Sequence, residues 1–168
     1  MGRGLTLTAL GNDFLSAAAI SDSGLLKLAV GTRVDRATAD LPATTTQAIF
    51  TIAGGPILLV QILGIVTTVI QTQACNTKLQ ANPTATGASV DICANLDITA
   101  KVVASYFGIT GTFANAMVNG LSIPMQATPV IIPVGTIDLV TAATNTGQVS
   151  WHVWYLPLAS SGVSVVAA

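Results

Sequence analysis

The run QVSWHVWYLP, Gln148 to Pro157, decides how this chain is read. Val149, Trp151, Val153 and Tyr155 alternate with Ser150, His152 and Trp154, the two-residue period of a β-strand. Both sets carry apolar groups, so the strand is expected inside a sandwich or at a subunit seam rather than on a wet edge. Upstream, PVGTIDLVTAA leads through TNTG, a tight-turn signal with Gly147, into this strand. The pair reads as a β-hairpin. Downstream, Pro157 ends the strand, and GVSVVAA reads as a short edge strand.

The same grammar extends back to Gln47. QAIFTIA alternates and stops at Gly54-Gly55-Pro56, and ILLVQILGIVTTVIQTQ then continues as two strands or one bent strand. Gly64 is the candidate bulge. The turn formers ANPTATGA separate TQACNTKLQ from SVDICANLDITA. Cys75 and Cys93 lie symmetrically about Thr84, so a hairpin centred there sets them opposite each other. A cross-strand pair and two buried thiols both fit, and a reducing cytosol favours the thiols. Residues 101–128 contain a turn at GITG and a stretch that reads as loop or a single helical turn.

Residues 1–45 differ. They carry Arg3, Asp13, Asp22, Lys27, Arg33, Asp35, Arg36 and Asp40, small residues dominate, and no apolar period persists, although LLKLAV at 25–30 fits a short strand or helical piece. This stretch reads as an extended arm that gains order by lying on a neighbour. The expected fold is therefore all-β: an arm over residues 1–45, then a β-sandwich or jelly-roll-like domain over 46–168.

Composition narrows the function. Only 8% of the 168 residues are charged, against roughly 25% in average soluble domains, and 51% are hydrophobic. There is no glutamate. Such a surface suits a protein covered by other subunits, where neutral Thr, Ser, Asn and Gln are cheaper to bury than ions. The basic residues form no stripe that would neutralise phosphates, so nucleic acid is not an expected partner. Residues 49–70 would alert a hydropathy scan. Gly54-Gly55-Pro56 cuts the run, however, β-branched residues dominate it, and no Lys/Arg cluster flanks it, so buried strands are expected before a membrane span.

Chemistry is thinly represented. One His, two Cys and scattered Asp provide no cluster for acid–base, nucleophilic or zinc chemistry, and neither a catalytic residue nor a cofactor is expected. His152, between aromatic neighbours, reads as a packing or interface residue. Asp91, Asp97 and Asp138 read as solvated strand positions rather than a carboxylate pair. Trp151, Trp154 and Tyr155 are expected to anchor the core or an interface.

The chain also resembles a family. Gly135, Thr136, Ile137, Asp138 and Leu139, then Asn145, Thr146 and Gly147, then Trp151, Tyr155, Pro157, Leu158, Gly162 and Val165 follow a pattern similar to that of small structural proteins encoded among the head genes of tailed bacteriophages. The likeness covers about the C-terminal half. It implies a non-enzymatic virion protein, most simply a capsid decoration or cement protein on the capsid surface. A homotrimer bound to major capsid protein is the implied state. A tail, baseplate or spike component is the second reading, and a membrane-associated protein the third.

Overall fold

The computed structural model describes residues 30–85 and 87–168. Among these the chain forms twelve strands: β1 (Thr32–Asp40), β2 (Thr46–Ala53), β3 (Ile57–Thr68), β4 (Asn76–Pro83), β5 (Val90–Asp91), β6 (Leu96–Asp97), β7 (Tyr106–Gly108), β8 (Val118–Gly120), β9 (Val130–Ile132), β10 (Gly135–Thr141), β11 (Gln148–Pro157) and β12 (Ser164–Ala167). They make two antiparallel sheets. The first runs β1-β11-β3-β7-β8, with β9 also on β3; the second runs β12-β2-β10-β4-β5, with β6 also on β4. The inner faces of both sheets share one apolar core, in which Ile49, Phe50, Leu79 and Ile137 of the second sheet are buried with Leu59, Ile62, Val66 and Val153 of the first. The chain is thus an all-β sandwich.

The alternation in β11 is obeyed. Val149, Trp151, Val153 and Tyr155 are buried, while Ser150, His152 and Trp154 are half-buried on the outer face. β3, opposite, is one strand of 12 residues, and its register against β11 shifts twice, near its C-terminal end, where Thr67 is the extra residue, and in its middle. The register slips between Trp154 and Tyr155, which pair with Gln61 and Leu59 and leave Val60 as the extra residue. Before this bulge Ile57 and Leu59 point inward; after it Ile62, Gly64 and Val66 do. A bulge is the device that lets one strand shift its inward set by a residue.

Gly64 is therefore not the bulge that the sequence suggested. It faces the Trp151 ring, and a Cβ there would stand 2.9 Å from two ring carbons. The glycine marks a close approach instead. Phe107 stacks on the same indole at 6.5 Å between centroids and 29° between planes.

Two further expectations are corrected. β10 and β11 are not a hairpin: β10 pairs with β2 and β4, β11 with β1 and β3, so the TNTG loop crosses from one sheet to the other. The cause lies in loop-to-loop hydrogen bonds. Asn145 Nδ2 donates to the Gln73 carbonyl at 2.8 Å, Gln71 N to Thr146 O at 3.1 Å, and Leu41 N to Gly147 O at 3.1 Å. The crossings β1–β2, β3–β4 and β10–β11 are thereby tied together at one end of the sandwich. The arm boundary at residue 45 also moves. Residues 32–40 form β1, an edge strand of the first sheet paired with β11, because their backbone completes the ladder that β11 leaves open. The remainder of the proposed arm, residues 1–29, lies outside the described residues.

Residues 49–70, the run that hydropathy flags, become β2 and β3 in different sheets. Among the described residues no helix is long and apolar enough to cross a membrane. β12 pairs with β2 at the edge of the second sheet.

Trp151 carries the strongest expectation about stability. Trp151→Ala should cost about 3–5 kcal/mol through lost burial and a cavity, and Gly64→Ala about 1–3 kcal/mol through overpacking. Thermal or urea unfolding of the two variants measures both effects, and the Trp151 variant should melt lower.

Candidate functional site

The two outer faces of the sandwich differ in chemistry. On the second sheet the outward side chains are mainly polar. Lys78 Nζ lies 2.7 Å from Asp91 Oδ2, Gln80 Nε2 donates to Asp91 Oδ1 at 2.5 Å, and Thr51, Asn82 and Thr136 stand half-buried nearby on β2, β4 and β10. The Lys78 hydrogen bond, helped by that from Gln80, holds the Asp91 carboxyl below its usual range. Asp97 accepts from the backbone N–H of Cys75 and from both the N–H and hydroxyl of Thr99, and the Thr99 bonds lower its pKa most. These two carboxylates thus brace the β4–β5 and β4–β6 ends. Asp138 is buried in the middle of β10, in register with Gln80.

The outer face of the first sheet is apolar over the middle of β3 and the β8–β9 connection. Leu63 and Val60 of β3, Trp154 of β11 and Ile123, Pro124 and Met125 of the β8–β9 connection line a groove of about 320 Å³. A second hollow beside it is walled by Leu63, Tyr106, Leu121 and Ile123. Around them Leu121 is 70% exposed, Met125 68% and Ile131 66%. Large apolar side chains scattered singly on a surface need no explanation, but a contiguous set marks an interaction site.

A polar clasp borders this face where β1 meets β11. Asp35 Oδ1 accepts from Arg33 Nε at 2.6 Å and from His152 Nδ1 at 2.6 Å. His152 Nδ1 must carry the hydrogen for that bond, so the 3.3 Å approach of Arg33 Nη2 to the same nitrogen is proximity rather than a bond. The Arg33 guanidinium lies 5.2 Å above the Trp154 ring, within the range of a cation–π contact. The hydrogen bond from His152 lowers the Asp35 pKa most; burial opposes it, and the hydrogen bond and charge of Arg33 add to the lowering.

The four residues singled out on β11 thus separate. Trp151 and Tyr155 belong to the core; His152 and Trp154 belong to the outer face. Arg33 and Asp35 were missed as site residues because they were assigned to the arm. The alternating charges of TRVDRATAD are an edge-strand signal that would have found them. Leu121, Ile123 and Met125 sit in a connection whose sequence has no period, and only the fold brings them to β3.

Cys75 and Cys93 are both buried and free, and they are not opposite each other. Gln80 pairs with Asp91, and Asn76 with Asp97, so the register is displaced from symmetry about Thr84. The loop after Pro83 takes up the difference. Cys93 Sγ accepts from Leu79 N at 3.2 Å, and Cys75 Sγ donates to the Ala143 carbonyl at 3.3 Å. Burial raises the Cys93 pKa to about 11. Among the described residues no group of three or more His, Cys, Asp or Glu is placed to hold a metal.

Comparison with protein-family models, with curated proteins and with solved structures finds no match.

Two expectations follow from these groups. Native protein at pH 8 should react with Ellman's reagent at neither thiol, and unfolded protein at both; rapid labelling of the native state would contradict the burial. The Asp35 clasp should contribute at most about 1 kcal/mol, as exposed ion pairs do. Its folded pKa is depressed, so the contribution is present above the usual carboxylate range and is lost as pH falls through the folded value. The stability gap between parent and Asp35→Asn should therefore close on acidification below about pH 4, as followed by urea unfolding at stepped pH.

Proposed function

We propose that this chain is a non-enzymatic structural protein of a virus particle, a capsid cement protein that seats the apolar outer face of its first sheet on major capsid subunits. The observation that carries the proposal is the set of large apolar side chains, Leu121, Met125 and Ile131, each about two-thirds exposed or more around the groove on the first sheet. A face of that kind gains stability when a partner covers it, at roughly 25 cal/mol per Å² of apolar surface removed from water. The low charge content supports the same reading, since few ions need to be desolvated on assembly.

The strand order adds support. We read β1-β11-β3-β7 and β2-β10-β4-β5 as the two four-stranded layers of a jelly roll, with β12 added beside β2. Jelly rolls are recurrent in viral capsid domains. The C-terminal resemblance to phage head-region proteins points the same way and implies a trimer, in which linked contacts multiply affinity.

The test is attachment of purified protein to particles that lack it. Leu121→Asp should fold as the parent does, by circular dichroism and melting temperature, yet lose about 2 kcal/mol or more of binding, the scale of an interface hot spot. Lys78→Ala on the opposite face should bind as the parent does. Equal binding by Leu121→Asp would overturn the assignment of this face. A copy number per particle far below that of the major capsid protein would move the role to the tail or baseplate. Sedimentation velocity tests the trimer.

A further inference from the structure

The two lateral sides of the sandwich end differently. On one side the sheets are joined through backbone: Ala94 N donates to Asn115 O at 2.8 Å and Met117 N to Ala94 O at 3.2 Å. On the other side β1 of the first sheet and β12 of the second are edge strands, and among the described residues they share no ladder. A side chain spans this gap, Arg36 Nε donating to the Ala168 carbonyl at 3.2 Å. Among the described strands β1 pairs with β11 alone. One edge of its backbone therefore keeps donors and acceptors for another strand.

The regular part of that edge is short and symmetric. It runs from Thr32 to Arg36, bounded by Gly31, whose φ is +86°, and by the register shift between Arg36 and Ala39. Its centre is Val34. Let the same strand of a second copy pair antiparallel with it about a two-fold axis through Val34. Arg33 then stands opposite the partner's Asp35, and Asp35 opposite the partner's Arg33. Both side chains lie on the outer face, 52% and 54% exposed. Opposite charges directly across a ladder stabilise it, and like charges destabilise it. Moving the axis by one residue sets Arg33 against Arg33 or Asp35 against Asp35, so the charges select a single register. On the inner face Val34, partly buried against the core, meets its own copy, and Arg36 meets Thr32 rather than a second arginine.

We propose that two copies of this chain join edge to edge through β1, so that their first sheets continue across a two-fold seam centred on Val34. The seam uses no part of the groove face, so it does not rest on the capsid reading. It links copies in twos, whatever three-fold contact forms elsewhere.

The test traps the seam covalently in the full-length chain. Directly opposed residues of an antiparallel pair have Cβ atoms about 4.5–5.5 Å apart, close enough for a disulfide to form with little movement. Val34→Cys should therefore give covalent dimers on mild oxidation, read on a non-reducing gel. Thr32→Cys lies about 13 Å from its own copy in this register, too far to bridge, and should run as single chains. So should the parent, whose Cys75 and Cys93 are buried. Added to Val34→Cys, either Arg33→Asp or Asp35→Arg should lower the dimer yield about tenfold, because both pairs across the seam become like-charged. Mixed together, the two reversed chains should regain the yield, since each again faces the opposite charge. Mixing cannot restore the bonds that Asp35 makes within its own chain to Arg33 and His152, so recovery reports on the seam alone. Without any added cysteine, sedimentation of the two reversed chains should show heavier species in the mixture than in either by itself. Equal trapping at positions 34 and 32, or none in a folded Val34→Cys chain, would overturn the proposal. So would reversed chains that associate no better mixed than alone.

Discussion

The seating of Trp151 on Gly64 is the contact on which the rest of the sandwich depends. β11 lies between β1 and β3, so it is covered by ladder hydrogen bonds on both edges and by the second sheet on its inner face. An indole is too large to enter that layer unless the facing strand yields volume. Gly64 yields it by having no side chain, and Phe107 covers the ring from β7. The bulge at Val60 is what makes Gly64 available, because it moves the inward set of β3 from odd to even positions. One inserted residue thus decides which side chains of β3 meet the core and which remain on the outer face as Val60, Leu63 and Ile65.

The second organising feature is the bundle of crossing loops. A strand that leaves one sheet for the other exposes backbone groups that no ladder satisfies, and these need partners when buried. Here the loops supply one another: Asn145 to Gln73, Gln71 to Thr146, Leu41 to Gly147, and the Thr141 hydroxyl to the Pro42 carbonyl. The opposite end is tied in the same way, where β2–β3, β9–β10 and β11–β12 cross between the sheets: the Leu158 N–H donates to the Pro56 carbonyl and the Thr84 N–H to the Val134 carbonyl, each at 3.0 Å.

The placement of charge bears on function. Two ion groups involve edge strands, Arg33–Asp35–His152 across β1 and β11 and Lys78–Asp91 across β4 and β5, whereas Asp138 is buried on the central strand β10. Charged edge strands discourage unplanned strand addition, while the apolar face beside them is free to meet a complementary surface.

How much of this was legible in the sequence follows from the range of the forces involved. Alternation is a local property, so the faces of β11, the strand character of β2 and β3 and the all-β class were determined by the order of residues alone. The separation of β10 and β11 into different sheets was not, since TNTG serves a hairpin and a crossing loop alike, and the choice lies in bonds to residues 41 and 71–73. Gly64 could be read as either a bulge or a close approach until the Trp151 ring was placed over it. The displaced register between Cys75 and Cys93 depended on loop geometry after Pro83. The apolar groove joins Val60 and Leu63 to Ile123 and Met125, some sixty residues away. Only the tertiary structure decided these points, because each is a contact between segments whose local sequence permits more than one partner.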